Sequence, residues 1–188
     1  MIGNLKLLSD FCNVFTLLKY VVLQVEIWYN IEKGSDDMSV LKDFDEIYNH
    51  AHMWNWGPDW IIVKDIYVKF PDSYSVLTPF AYTYFEELIR STTSEYGVPL
   101  LDREGKKNNL KVGLKLINLA IAENTEKPNY IKLLEKAKKY FKYDYEDPHE
   151  ENGRNKVLHG HLHPRFWSKE EFEKLIHDIA EMSQFAGF

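Results

Sequence analysis

Apolar residues in this chain recur every three to four positions, and proline or glycine separates one such run from the next. This spacing is the period of an α-helix that buries one face. Strand–helix alternation and glycine-rich phosphate loops are both missing from the sequence, so we predict an all-α helical bundle. The predicted helices cover residues 5–32, 80–96, 109–122 and 128–141, with a short helix after Ser39.

Two more helices are predicted near the carboxyl end. One begins near Asn152 and stops by His163, because Pro164 disfavours a helical backbone at the residue before it. The other begins after Ser168, which forms the start of a capping box with Glu171. The apolar face of that last helix comprises Phe172, Leu175, Ile176, Ile179 and Met182.

Residues 50–79 break the helical pattern, because they contain three prolines and three tryptophans. We predict irregular structure here, with one strand or short helix at most. Trp54, Trp56 and Trp60 have the chemistry to stack on nucleic-acid bases. Such a cluster is more often a packed loop or an interface, and both interpretations stay open.

The length of 188 residues suits a single domain with one hydrophobic core. We expect residues 76–188 to form the bundle core and residues 1–75 to form an elaborated helical and irregular extension. Residues 14–28 are apolar, but polar side chains interrupt them, so they are too short for a membrane-spanning helix of about 20 residues. The chain shows no targeting pattern, and Cys12 is the single cysteine, so the cytoplasm is the expected location.

Acidic side chains outnumber basic ones, 29 to 23, which gives the chain a net charge of −6. A protein that binds nucleic acid without regard to sequence needs a broad basic face. The charge therefore argues against such binding, although it allows a small local basic site.

The stretch NGRNKVLHGHLHPRFW, residues 152–167, concentrates histidine and arginine. His159, His161 and His163 alternate, so they would share one face of a strand but not of a helix. Zinc needs three or four fixed ligands, and the sequence contains no HExxH spacing to supply them. We therefore expect neither a metal nor a cofactor. At the end of a helix, His161 and His163 would simply favour the negative end of its dipole.

A second interpretation of this stretch is RNA cleavage without a metal. That reaction needs a group to move protons and a cation to stabilise the charged phosphorus. Arg154, Asn155 and His159 supply these residue types. Arg154 and His159 lie about 140° apart around an ideal helix. They converge if the arginine reaches around the helix, if the helix begins irregularly near Gly153, or if two chains meet there.

The residues RNKVLHG resemble the R-x4-6-H motif of HEPN domains (higher eukaryotes and prokaryotes nucleotide-binding), with Arg154, Asn155 and His159 at the motif positions. The resemblance implies an up-and-down helical bundle that forms a homodimer, with the two motifs facing each other. Many members are metal-independent endoribonucleases of toxin–antitoxin, phage-defence or RNA-processing systems, and they leave a 2',3'-cyclic phosphate. The segment FEELIR resembles the acidic stretch of the family, with Glu86 and Arg90 as its pair and Glu87 as a second candidate.

The resemblance also implies a role for each residue. Arg154 would stabilise the phosphorane, His159 would act as general base or acid, Asn155 would orient them, and Glu86 would position Arg154 or His159. The cations expected to contact RNA are Lys156, His161 and Arg165. RNA and a cognate antitoxin are the implied partners. Because His161 stands where some toxins have a tyrosine, regulation by a nucleotidyltransferase antitoxin is not expected.

Two alternatives remain open beside this hypothesis. The chain would be a non-catalytic helical module if it used the same surfaces to bind a nucleotide, RNA or a protein. In a purely structural interpretation, Arg154 would pair with Glu150 or Glu151, and His159 would cap a packed helix.

Overall fold

The computed structural model describes residues 39–142, Gly160, His163 and residues 167–188. The chain divides into two units, Met1–Ser39 and Val40–Phe188, and the helices below belong to the second. The predicted helix over residues 5–32, with Cys12, lies outside the described residues, as does the predicted helix that begins near Asn152.

The described residues fold into helices, and the one β-bridge among them joins Leu101 and Lys107. This confirms the all-α class for this part of the chain. A 3-10 turn, Pro71–Ser73, separates the second helix from the third. The helices are α1 (residues 39–50), α2 (Gly57–Lys69), α3 (Tyr74–Ser91), α4 (Leu114–Glu123), α5 (Pro128–Phe141) and α6 (Lys169–Ser183).

Helix α1 confirms the short helix expected after Ser39. Val40, Phe44 and Ile47 are buried, and their spacing places them on one face of the helix. The ring of Phe44 packs against Tyr67 of α2, with ring centroids 5.4 Å apart.

Helix α2 corrects the prediction that residues 50–79 are mostly irregular. Pro58 stands in the first turn, where proline is tolerated because its missing N–H has no partner there anyway. Trp60, Val63 and Tyr67 are buried at helical spacing. The adjacent Ile61 is about half-exposed. The β-branched residues that suggested a strand therefore lie on both the buried and the exposed face of a helix.

Helix α3 is the central helix of the described bundle, and it begins at Tyr74 rather than at residue 80. Pro79 lies inside it, which is why the sequence suggested a later start. Tyr82, Tyr84 and Phe85 of α3 are all buried and belong to the core.

Helix α4 begins at Leu114, five residues later than predicted. The cause is Gly113, whose φ of 57° and ψ of −134° lie where glycine alone is comfortable. A Cβ added to Gly113 would lie 3.8 Å from the ring of Phe141, the last residue of α5. The start of α4 and the end of α5 are therefore neighbours.

Helices α5 and α6 begin as predicted. Pro128 occupies the first turn of α5. Ser168 caps α6, because its Oγ accepts a hydrogen bond from the backbone N–H of Glu171 at 3.2 Å. The Glu171 carboxylate pairs with Lys174 at 2.6 Å. All five predicted apolar residues of the last helix are buried.

Helices α3 and α4 run in the same direction. The Glu86 carboxylate contacts Gly113 just before α4, and the Ser94 hydroxyl contacts Glu123 at its end, at 2.7 and 2.6 Å. The loop between α3 and α4 must therefore run back along the bundle. In a simple up-and-down bundle, consecutive helices would instead run in opposite directions.

Aromatic packing dominates the core around α3. The ring of Tyr84 meets Trp60 of α2 edge to face, with centroids 5.0 Å apart, and Phe85 lies 5.8 Å from both Tyr140 and Phe141 of α5. The carboxyl-terminal residues pack against the end of α3, where the backbone N–H of Gly187 donates to Ser91 Oγ at 3.0 Å.

Among the residues that the structure describes, no helix is both long enough and apolar enough to cross a membrane.

Candidate functional site

Most of the predicted site residues lie outside the part of the chain that the structure describes. Those residues are Arg154, Asn155, Lys156, His159, His161 and Arg165. The predicted acidic partner Glu86, its alternative Glu87, and the two neighbours of the motif, Gly160 and His163, are described.

Glu86 lies in the second half of α3 and is half-buried. Its Oε1 accepts a hydrogen bond from the backbone N–H of Gly113 at 2.7 Å. That N–H precedes the first turn of α4, where backbone donors have no partner within the helix and favour a carboxylate.

The neighbouring carboxylates have a different role. Arg90 Nε lies 3.6 Å from Glu87 Oε2, and its NH1 lies 3.1 Å from Glu95 Oε2. Glu95 also accepts from the backbone N–H of Lys111 at 2.7 Å and pairs with its Nζ at 3.1 Å. Arg90, which stands at the arginine position of the predicted acidic stretch, helps to fasten the loop between α3 and α4 to the end of α3.

Two buried aromatic residues border the segment that carries the motif. Phe141, the last residue of α5, is 2% exposed, and Trp167, just before α6, is 8% exposed. The chain is thus anchored in the core shortly before and shortly after Arg154 and His159. Gly160 has a φ of 69°, in the left-handed region that favours glycine at the ends of helices. The backbone conformation at Gly160 therefore explains why a glycine occupies this position of the predicted motif.

Metal binding finds no support among the residues that the structure describes. No three His, Cys, Asp or Glu side chains in this part of the chain cluster closely enough to hold an ion. His159 and His161 lie outside it, so the interpretation of the alternating histidines as ligands stays a hypothesis.

A polar network that was not predicted from the sequence lies between α5 and α6. It comprises Asp178, Tyr140, Lys136 and Lys139, and we call it the α5–α6 seam. Asp178 is 6% exposed and accepts a hydrogen bond from the Tyr140 hydroxyl at 2.7 Å. Lys136 and Lys139 lie 2.6 and 3.2 Å from its two oxygens. The spacing of Lys136, Lys139 and Tyr140 on one helical face was the available signal.

Competing effects set the pKa of Asp178. Burial raises it, but hydrogen bonds from Lys136 and Tyr140 and the charge of Lys139 lower it, and the result is a pKa below the ordinary value. The hydrogen bond to Asp178 in turn raises the pKa of Lys136. Both groups therefore remain charged at neutral pH, and the seam is an ion network rather than a proton-transfer site.

Buried tyrosines are poor candidates for proton transfer in this bundle. Burial raises the pKa of Tyr130 to about 12, against the opposing hydrogen bond from Thr92. Burial likewise raises the pKa of Tyr82, Tyr84 and Tyr140. A phenol with a raised pKa keeps its proton at neutral pH, so these residues do not act as bases there and instead fill the core.

No protein-family model, curated protein or solved structure matches this chain.

Proposed function

We propose that this chain is a HEPN-type, metal-independent endoribonuclease with Arg154 and His159 at its active site. In this proposal two copies associate through a HEPN-like bundle so that their motifs face each other. The substrate is RNA, and the setting is a toxin–antitoxin or phage-defence system.

The observation that carries the proposal is the location of Glu86. Its carboxylate binds Gly113, which lies against Phe141, and the segment with the motif follows Phe141 in the chain after the one described residue Lys142. This location of Glu86, at the end of the bundle where the described chain leads into the motif segment, supports its proposed role beside the motif. The left-handed Gly160 next to His159 is a second supporting feature.

The proposed reaction is an attack of the ribose 2'-oxygen on the adjacent phosphorus. The bond from phosphorus to the 5'-oxygen breaks, and the products are a 2',3'-cyclic phosphate and a 5'-hydroxyl end. His159 accepts the 2'-hydroxyl proton or donates one to the leaving oxygen, since histidine titrates near neutral pH. Arg154 stabilises the charge on the phosphorane, Asn155 orients these groups, and Glu86 positions one of them.

The test is cleavage of a mixed cellular RNA pool by the purified chain in excess EDTA. The native protein is expected to cut the RNA, and His159→Ala is expected to lose about 100-fold or more of the activity, as removal of a general acid or base does. His163→Ala serves as the matched control, because His163 is a nearby histidine outside the motif. Equal activity of the native protein and His159→Ala would contradict the proposal.

Glu86 needs its own pair of variants, since it also binds a backbone N–H. Glu86→Gln keeps an acceptor for Gly113 but removes the charge, whereas Glu86→Ala removes both. If the charge positions Arg154 or His159, Glu86→Gln retains the native melting temperature but cleaves more slowly. Full activity of Glu86→Gln would restrict Glu86 to a structural role.

A further inference from the structure

The loop between α3 and α4 contains a small ordered hairpin, residues 99–108, which we call the basic hairpin. Leu101 and Lys107 form a bridge across it. The Asp102 carboxylate accepts from the backbone N–H groups of Glu104 and Lys106 at 2.9 and 2.8 Å. Gly105, with a φ of 79°, completes the turn in a conformation that glycine favours. The hairpin is therefore preorganised although it is nearly all exposed.

Hydrogen bonds close the basic hairpin at its base, and the chain just beyond it is fastened to the bundle. Asn108 donates from its backbone to the carbonyl of Leu100 at 2.9 Å and from its side chain to that of Pro99 at 2.7 Å. Beyond it, Lys111 is bound through Glu95 to Arg90 of α3. The ordered backbone therefore fixes the positions from which these side chains extend into solvent.

Positive charge is concentrated here. Residues 99–115 contain five cations and two carboxylates, a net charge of +3 in a chain whose net charge is −6. Arg103, Lys106 and Lys107 are exposed, and their charged groups form no ion pair with any carboxylate among the described residues. The two backbone donors hold the Asp102 carboxylate within the turn, and the net charge of +3 already includes it.

The positive surface continues towards Glu86. Lys115 is exposed in the first turn of α4, two residues after the glycine that Glu86 binds. Lys142 is exposed directly after Phe141, whose ring lies near the same glycine. Exposed lysines therefore flank the end of the bundle from which the motif segment departs.

We propose that the basic hairpin binds the sugar–phosphate backbone of single-stranded RNA and directs it to the site beside Glu86. This inference rests on the proposed ribonuclease function. Exposed cations in a fixed array suit a strand with one negative charge per nucleotide. A lipid surface suits the hairpin less well, because its apolar residues Leu100 and Leu101 lie at the base while the turn carries Arg103 and Glu104.

The test measures binding of a fluorescein-labelled, mixed-sequence single-stranded RNA by fluorescence anisotropy in EDTA. Every protein carries His159→Ala, so that the RNA remains intact. Lys106→Glu combined with Lys107→Glu is expected to weaken binding by about tenfold or more. The dependence of log affinity on log salt is expected to become shallower by about 0.7 for each lost phosphate contact.

Lys69→Glu combined with Lys132→Glu is the charge-matched control, since these lysines are exposed on α2 and α5. The control should bind RNA within about twofold of the parent protein, and thermal unfolding of both variants checks that they fold. An equal loss in the two variants would overturn the proposal, because only the total charge would then matter. Absence of RNA binding by the parent protein would also overturn it.

The same proteins are tested on phosphatidylglycerol vesicles. Loss of vesicle binding in the hairpin variant with unchanged RNA binding would overturn the proposal in favour of a lipid surface. Cleavage by the native chain separates the two proposals. Hairpin-dependent RNA binding without any cleavage would support the hairpin and reject the ribonuclease, whereas His159-dependent cleavage with hairpin-independent binding would reject the hairpin alone.

Discussion

Two lysine-rich regions of this bundle use the same side chain in opposite ways. In the α5–α6 seam, Lys136 and Lys139 converge on the buried carboxylate of Asp178. In the basic hairpin, Lys106 and Lys107 are exposed, and their ammonium groups form no ion pair with any carboxylate among the described residues. Lysines that are neutralised within the fold hold two helices together. Lysines that an ordered backbone displays without neutralisation are available to an outside anion.

The largest effect that this comparison predicts is on stability at the seam. Asp178→Ala removes an acceptor that is bound by a tyrosine and two lysines, and we expect it to lower the free energy of unfolding by about 2–3 kcal/mol. Both lysines are about half-exposed and can turn to water, which keeps the loss below that of a fully buried pair. Urea denaturation measures the change.

Tyr140→Phe is the matched control for that loss, because it removes one donor and leaves the two ion pairs in place. We expect it to cost about 1 kcal/mol. If Asp178→Ala cost no more than Tyr140→Phe, the two lysines would contribute nothing and the seam would resemble the hairpin.

Acid should weaken the seam. The pKa of Asp178 in the folded chain is below its ordinary value, so its stabilisation is complete above the ordinary pKa near 4 and is lost as pH falls through the lower folded value. The melting temperature of the native chain should therefore fall more steeply below about pH 4 than that of Asp178→Asn. Parallel curves for the two proteins would show that this carboxylate is not stabilised by its neighbours.

A smaller and local effect is expected in the hairpin. Asp102→Ala removes the acceptor for the N–H groups of Glu104 and Lys106, which should free the turn at a cost of about 0.5–1.5 kcal/mol. Hydrogen exchange at the Lys106 amide should accelerate, while the amides of α3 exchange as in the native chain. Unchanged protection at Lys106 would show that the hairpin does not depend on Asp102 for its order.

The smallest expected effect is that of the hairpin charges on stability. Lys106→Glu combined with Lys107→Glu should change the free energy of unfolding by less than about 0.5 kcal/mol, since exposed side chains without partners contribute little. Thermal unfolding measures this. A loss comparable to that of Asp178→Ala would show that the hairpin lysines have a structural partner and would remove the distinction between the two regions.

Helical periodicity predicted the helices whose apolar faces are regular. Phe44 and Ile47 identified α1, and Phe172, Leu175 and Ile179 identified α6 together with the cap at Ser168. Helix α2 was missed because its exposed face is also apolar, so Ile61 and Ile62 concealed the spacing of the buried residues.

The site was predicted less completely, because its parts come from distant segments. The resemblance singled out Glu86 of α3, but the bond that its carboxylate accepts from Gly113, just before α4, depends on tertiary packing that no local pattern encodes. The seam was missed for the same reason, since Asp178 and Lys136 lie on different helices. In the hairpin, the engagement of Asp102 by two backbone N–H groups could not be foreseen from the sequence.

The central claim is cleavage of RNA by the chain's own side chains, and the chemistry of the product ends tests it most directly. After digestion of a mixed cellular RNA pool in EDTA, mass spectrometry is expected to detect 2',3'-cyclic phosphates and 5'-hydroxyl ends. These products should be lost with either Arg154→Ala or His159→Ala. Products with 3'-hydroxyl and 5'-phosphate ends, or cyclic phosphates that persist in both variants, would contradict the account.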